Sequence, residues 1–369
     1  MSDEAFMRRA LELAVRARGL TSPNPLVGAV VVRDGTVVGE GFHERAGGPH
    51  AETTALAAAG GRARGATLYV TLEPCVHHGR TPPCAPAVAA AGVARVVAAM
   101  MDPDPRVSSR GVETLRAAGL AVEVGLLGEE AARQNWTFVT AMRRRRPHVT
   151  LKAAMTADGK IADLRGFSRW ITGERARAEG HRLRSEVDAI VVGVGTVLHD
   201  DPELTVRLGR PWPREPFRVV LDSTARTPPT ARLLRTGTPG RVLVAVGPAA
   251  PAGRVADLTK AGATVLACPV GSDGRVAVAA MLAELFAREV RAVLVEGGGE
   301  VHGAFLDAGL VDHVAVFVAP LLLGGRAAPT AVGGAGRELG HAVRLERPRV
   351  SLLGDDVLLE ADVLGEEAP

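Results

Sequence analysis

The chain has 369 residues, more than the roughly 100–200 of a usual domain, which implies two domains. An apolar fraction of 47% with 23% charged residues excludes bulk disorder. The 44 basic and 41 acidic residues nearly cancel, which argues against a nucleic-acid binder, since those carry a basic excess. Lys152, Lys160 and Lys260 are the only lysines, and Asn24 and Asn135 the only asparagines. These rare residues mark positions where arginine or aspartate is a poor replacement, because lysine shifts its pKa on burial and arginine does not. Three cysteines (Cys75, Cys84 and Cys268) are too few for a disulfide framework, and no secretory pattern opens the chain. No apolar run reaches the roughly 18–20 residues of a membrane span. These features predict a soluble, cytoplasmic protein.

In chain order, residues 3–18 carry apolar residues at helical spacing and Leu26–Val32 reads as a buried strand. His50–Ala59, opened by Pro49, is an Ala-rich helix. Thr67–Thr71, Cys84–Ala91 and Arg95–Met100 continue as strand, helix and strand, and Val112–Ala118, Ala121–Val124 and Glu129–Phe138 as helix, strand and helix. This alternation predicts an α/β layer fold with a largely parallel sheet. Arg143-Arg144-Arg145-Arg146-Pro147 then predicts an exposed joint that divides the chain into domains 1–145 and 146–369. Beyond it, Val149–Ala154, Ala189–Val194, Arg218–Leu221, Val242–Val246, Thr264–Ala267, Ala292–Val295 and Val314–Val318 read as buried strands. Glu174–Glu186, Val276–Arg288 and Val301–Ala308 read as helices, and Val350–Val363 holds two more strands. No internal repeat is visible.

The strongest chemical signal lies between residues 49 and 84. Pro49-His50-Ala51-Glu52 opens a predicted helix, Cys75 follows Pro74, and Cys84 begins another helix. One imidazole and two thiolates offer three tetrahedral ligands to Zn2+ and leave the fourth position open, the arrangement of a catalytic site. Cys84 at a helix N-terminus is expected to have a lowered thiol pKa. His77 and His78 are alternative fourth ligands. Glu52 is suited to taking a proton from the activated water and passing it to a leaving amine. His-x-Glu followed by Pro-Cys matches the zinc-deaminase signature, except that eight residues separate the cysteines instead of two.

The insert Val76-His77-His78-Gly79-Arg80-Thr81-Pro82-Pro83, with Pro23-Asn24-Pro25-Leu26-Val27-Gly28, resembles the bifunctional riboflavin-biosynthesis deaminase/reductase family. That resemblance implies that Asn24 hydrogen-bonds a pyrimidine, with His77, Arg80 and Thr81 near its phosphoribosyl part. The family continues Asp-Pro-x-Pro with a Gly-Lys-Gly turn, where this chain has Ser109-Arg110-Gly111 after Asp102-Pro103-Asp104-Pro105.

In the second half neither Gly193-Val194-Gly195 nor Gly297-Gly298-Gly299 completes a dinucleotide fingerprint. Its motifs are instead similar to the family's reductase domain: Leu151–Ala162, Trp170-Ile171-Thr172-Gly173, Gly193–Val197, Asp200-Asp201-Pro202, Glu296–Gly299 and Pro320–Gly325. The resemblance implies an N-terminal cytidine-deaminase-like three-layer α/β domain followed by a dihydrofolate-reductase-like domain. It assigns NADPH contacts to Ala154, Trp170, Thr196, Asp200, Ser223 and the run Gly298, Gly299, Glu300, Val301, His302, Gly303 and Ala304. It assigns substrate contacts to Ser168, Arg184, Leu204, Arg207 and Glu296. Lys152 and Asp200 are candidates to assist protonation during hydride transfer, and Arg184 and Arg207 suit a phosphate. Cys268 reads as a core residue.

The implied activities are deamination of 2,5-diamino-6-ribosylamino-4(3H)-pyrimidinone 5′-phosphate, then reduction of the ribosyl group of the deaminated product to ribityl. The expected partners are phosphorylated pyrimidines and a second copy of the chain (dimer or tetramer), with no nucleic acid and no membrane. The competing reading is a nucleoside or nucleic-acid deaminase with a degenerate second domain. It would keep His50, Glu52, Cys75 and Cys84 but would not need the insert.

Overall fold

The computed structural model describes residues 2–79, 81–105 and 107–364. They fall into two compact units, Met1–Arg145 and Arg146–Pro369.

The first unit is built on five strands: β1 (Gly28–Arg33), β2 (Thr36–Phe42), β3 (Thr67–Val70), β4 (Arg95–Ala98) and β5 (Ala121–Val124). Their order is β2-β1-β3-β4-β5. β1 runs antiparallel to both neighbours, whereas β3, β4 and β5 are parallel, so the sheet is mixed and not largely parallel as expected. The cause is local. Asp34 and Gly35, at φ 50° and 74°, turn the chain back within two residues, and Asp-Gly favours this hairpin.

β2 was not anticipated, because Gly39 and Gly41 interrupt its apolar alternation. Both glycines face the helix Ala51–Ala59: a Cβ would lie 2.2 Å from the Ala55 carbonyl oxygen at Gly39 and 2.5 Å from that of Ala51 at Gly41. Their missing side chains let the helix lie directly on the strand. Phe6, Met7 and Leu13, from the helix Asp3–Ala14, pack with Tyr69 and Val97 in one core. Ala55, Val88 and Leu115 pack with Leu68 and Val70 in another. The expected helix Glu129–Phe138 is two helices, Gly128–Gln134 and Trp136–Arg144, joined at Asn135. The buried Asn135 amide accepts from Leu26 N (2.7 Å) and donates to the Leu26 carbonyl (2.8 Å), fixing the turn that carries Asn24.

The second unit holds nine strands: β6 (His148–Thr156), β7 (Ala189–Gly193), β8 (Phe217–Leu221), β9 (Val242–Val246), β10 (Thr264–Ala267), β11 (Ala292–Gly297), β12 (His313–Ala319), β13 (Leu345–Leu353) and β14 (Asp356–Val363). Their order is β10-β9-β8-β7-β11-β6-β12-β14-β13, parallel from β10 to β12, with β14 and β13 antiparallel at the edge. The parallel strands read as continuous apolar runs because helices cover both faces. The helices Val194–Asp200, Arg232–Arg235 and Ala252–Lys260 were not anticipated; the first two are under two turns long and too short to show a period.

The arginine run is only partly an exposed joint. Arg143, Arg144 and Arg145 are exposed. Arg146 folds inward and grips Asp312 with two contacts, of 2.7 and 2.8 Å, while Asp312 also accepts from Val149 N. A bidentate carboxylate compensates the charge that would otherwise keep Arg146 in water. Among the described residues, no helix is long and apolar enough to cross a membrane.

Candidate active sites

In the first unit the helix Ala51–Ala59 begins after His50, and Cys84 opens the helix Cys84–Ala90. Cys75 lies in the segment leaving β3. The ligand atoms of His50, Cys75 and Cys84 all lie within 4.8 Å of one another. His50 Nδ1 is 3.0 Å from Cys84 Sγ and 3.5 Å from Cys75 Sγ, while its Nε2 is 2.8 Å from Thr81 Oγ1. Ligation through Nδ1, which is turned to both sulfurs, would leave the proton on Nε2, placed to donate to Thr81 Oγ1. This donor set of one nitrogen and two sulfurs fits zinc and leaves room for one further ligand. His77 and His78 are exposed and stand outside the cluster.

Cys84 N–H donates to Cys75 Sγ at 3.4 Å. The free N–H of the helix end therefore favours the thiolate on Cys75, not on Cys84 as its own position suggested. Cys75 is pushed down to about 4, chiefly by hydrogen bonding from Cys84. Cys84 is pushed up, chiefly because it is the partner that keeps its proton. Glu52, in the first turn of its helix, is 4% exposed and is pushed up to about 7 by burial, with Cys75 and His50 as charged neighbours.

Around this cluster, Asn24 Nδ2 donates to His43 Nε2 at 3.0 Å, and His43 Nδ1 donates to the Pro49 carbonyl at 3.0 Å. Glu73, two residues before Cys75, was not foreseen. Its buried carboxylate accepts from the backbone N–H groups of Asp102, Ser109, Gly111 and Val112, at 2.8 to 3.2 Å. It thereby caps the helix Arg110–Ala117 and ties the 102–112 loop to the cysteine turn. Ser109 sits there at φ 71°, the left-handed geometry that glycine adopts without strain. Arg110 is exposed. Arg80 lies outside the described residues.

In the second unit Arg184, Thr196, Glu296 and Gly298 come together at the C-terminal end of the parallel strand β11, the end at which open α/β sheets bind ligands. β11 ends in Glu296 and Gly297, and Gly298 precedes the helix Gly299–Asp307. Gly298 N–H donates to Thr196 Oγ1 at 3.2 Å, joining this turn to the helix Val194–Asp200. Only Gly298 of the run Gly298–Ala304 is outside that helix. Glu300 is exposed and pairs with Arg275 at 2.8 Å, Val301 and Ala304 are half-buried, and Gly303 is buried. The buried His302 Nδ1 donates to the Ala331 carbonyl at 2.7 Å.

Arg184 and Glu296 form a bidentate pair, and Arg184 Nη1 also donates to the Thr205 carbonyl at 3.1 Å. Burial raises Glu296, but Arg184 outweighs it and holds the carboxyl down at about 2. Burial lowers the Lys152 ammonium, opposed by Glu296, and its Nζ lies 5.4 Å from the Phe317 ring centre. Ser168 Oγ donates to Asp200 at 3.0 Å. Arg207 pairs with Glu203 at 3.0 Å. Trp170 is exposed, with the Arg177 guanidinium 4.6 Å over its ring. Ala154 is half-buried in β6. Ser223 follows β8 and its Oγ accepts from Val276 N at 3.0 Å. Leu204 packs inward at φ 53°, among Val194, Val197 and Leu233. Cys268 is buried in the core. The sequence did not single out His181, which lies near Arg184, Arg207 and Glu296 and which burial pushes down to about 4.

Three side chains able to hold zinc beside a buried glutamate define the first unit as a zinc-dependent deaminase, and the second unit carries a glycine-rich turn at the end of β11, the class of a deaminase joined to a second α/β enzyme. Comparison with known proteins agrees. The family described as "Cytidine and deoxycytidylate deaminase zinc-binding region" matches residues 1–100, and that described as "RibD C-terminal domain" matches residues 147–359. The chain is 42% identical to the "Riboflavin biosynthesis protein RibD" of Aquifex aeolicus (97% of each chain covered) and 42% identical to that of Escherichia coli (97% of this chain, 99% of the relative). The structure of Acinetobacter baumannii RibD superposes with a TM-score of 0.89 at 38% identity, covering 98% of this chain and 99% of that one. A Thermotoga maritima deaminase/reductase superposes with a TM-score of 0.84 at 38% identity, covering 98% of each. The chain belongs to the RibD family, the bifunctional deaminase/reductases of riboflavin biosynthesis, which use Zn2+ and NADPH.

Proposed function

We propose that residues 1–145 deaminate 2,5-diamino-6-ribosylamino-4(3H)-pyrimidinone 5′-phosphate and that residues 146–369 reduce the ribosyl group of 5-amino-6-(5-phosphoribosylamino)uracil to ribityl. The observation that carries this reading is the His50, Cys75 and Cys84 cluster with buried Glu52 beside it, on one chain with the Arg184–Glu296 site.

In the deaminase, His50, Cys75 and Cys84 would hold the zinc. Zinc, when bound, supplies the Lewis acidity that makes water a competent nucleophile at neutral pH. The Glu52 carboxylate would accept a proton from the attacking water, whose oxygen bonds to the ring carbon, and return that proton to the amine, so that the ring C–N bond breaks, ammonia leaves and the carbon keeps the oxygen. Asn24 would hydrogen-bond the pyrimidine, and the resemblance gives His77, Arg80 and Thr81 the phosphoribosyl part to bind.

In the reductase, Ala154, Trp170, Thr196, Asp200, Ser223 and the Gly298 turn would hold NADPH, which when bound would supply the hydride. Gly298 leads directly into a helix N-terminus, whose N–H groups suit a phosphate. Lys152 and Asp200 assist protonation as the sugar ring opens. Ser168, Arg207 and the Arg184–Glu296 pair hold the substrate, and Leu204, its side chain turned inward, contributes through its backbone. The protein works as a homo-oligomer in the cytoplasm, without nucleic acid.

Supplying the pyrimidine phosphate to zinc-loaded protein, with and without NADPH, tests both halves. The expected products are ammonia and the deaminated ribosylamino compound without NADPH, and the ribitylamino compound with it. No ammonia release, or turnover of cytidine in preference to the phosphate, would overturn the deaminase reading. Unoxidised NADPH in the presence of the deaminated compound would overturn the reductase reading.

A further inference from the structure

His43 belongs to none of the motifs above, yet it is 3% exposed and touches both sides of the deaminase site. Its ring stands edge-on to His50, with centroids 5.3 Å apart. Its Nδ1 lies 3.0 Å from the carbonyl of Pro49, the residue before His50, and its Nε2 lies 3.0 Å from Asn24 Nδ2. A carbonyl can only accept, so Nδ1 must carry the proton. Nε2 faces Asn24 Nδ2, which can only donate, so Nε2 is the acceptor of the pair. An acceptor at that place admits only the NH2 end of the Asn24 amide.

We propose that His43 is a positioning residue that fixes which end of the Asn24 amide faces the substrate. The proposal rests on the reading that Asn24 contacts the pyrimidine. With Nδ2 tethered to His43, Asn24 presents its Oδ1 acceptor, and it therefore selects a pyrimidine edge that offers an N–H donor. An amide turned the other way would set donor against donor. The backbone supports the same geometry: His43 N–H donates to the Val27 carbonyl at 2.9 Å, and Asn24 N–H donates to Thr21 O at 3.0 Å. Aspartate at position 24 would put an oxygen lone pair against Nε2, which explains the use of one of only two asparagines in the chain.

The test is a double-mutant cycle on the zinc-loaded full chain, with deamination kinetics, zinc content and the histidine tautomer (imidazole nitrogen NMR) as readouts. His43→Asn keeps a group for Pro49 but cannot reach Asn24. It should lower kcat/KM by about tenfold or more, chiefly through KM, with zinc content and reductase activity unchanged. His43→Gln, whose Oε1 can take the place of Nε2, should recover part of the loss. In the Asn24→Ala background, His43→Asn should cost nothing further, because the two act as one unit. In wild-type protein at neutral pH, His43 should carry its proton on Nδ1. Independent, multiplying losses would overturn the proposal, as would loss of zinc in His43→Asn, which would place the effect on His50. If His43→Asn does not fold, His43→Gln is taken through the same cycle with the same criteria. Unchanged kcat/KM in Asn24→Ala would overturn the pyrimidine reading of Asn24, and the proposal with it. Impaired Asn24→Ala beside a neutral His43→Asn would overturn the proposal alone.

Discussion

Arg184 and Glu296 meet through two contacts, Nε to Oε1 at 2.5 Å and Nη2 to Oε2 at 2.8 Å, with side chains only 15% and 9% exposed. The pair ties the helix Glu174–Ser185 to the end of β11 beside the glycine turn. Nε, Nη1 and Nη2 of Arg184 all donate within the fold, to Glu296 and to the Thr205 carbonyl, so the guanidinium is held in one orientation.

Removing either partner leaves a buried charge alone. Glu296→Ala and Arg184→Ala should each destabilise the protein by about 3–5 kcal/mol, and the double variant by clearly less than the sum. Denaturant unfolding of the full chain measures this. Additive losses would show that the two charges are not coupled.

Thr81 Oγ1 lies 2.8 Å from His50 Nε2, where it would accept the Nε2–H of a His50 that ligates through Nδ1. Thr81→Val removes the acceptor at nearly constant volume and should weaken zinc binding roughly 10–100-fold, while Thr81→Ser retains it. Competition against a chromogenic chelator reads the affinity directly. Equal affinities in Thr81→Val and wild type would remove this role.

Ser109 occupies a left-handed position at φ 71° with no side-chain cap hydrogen bond. Ser109→Gly relieves the strain without removing a side-chain cap hydrogen bond, and should stabilise the first unit by about 0.5–1 kcal/mol. The same position explains why the departure from the family's glycine is tolerated: Glu73 holds the loop through four backbone N–H groups whatever side chain stands at 109. A lowered unfolding temperature in Ser109→Gly would contradict the account.

His148 is 1% exposed, and burial pushes it down to about 4. In the unfolded chain a histidine titrates near 6.5. The unfolded state therefore binds the proton first as pH falls. The contribution to stability is complete above about 6.5 and is lost progressively down to about 4, amounting to about 3 kcal/mol. Chemical denaturation between pH 7 and 4 should show this slope, and His148→Asn should flatten it. An unchanged slope in the variant would assign the effect to another group.

The sequence by itself determined the identities and the order of the parts. Parallel strands buried on both faces must be continuous apolar runs, so Ala189–Gly193, Val242–Val246 and Ala292–Gly297 were legible almost to the residue. His50, Cys75 and Cys84 were legible because metal ligation admits few residue types at such positions. Tertiary structure alone decided how these parts meet. β2 was hidden because its glycines answer to a helix packed on it, and that helix carries His50 and Glu52 into place. The pairings of His43 with Asn24, Thr81 with His50, Arg184 with Glu296 and Asn135 with Leu26 join residues up to 112 positions apart. Local propensity carries no record of such distant contacts. They exist because each buried donor must find an acceptor once water is gone, and only the folded chain determines which acceptor is within reach.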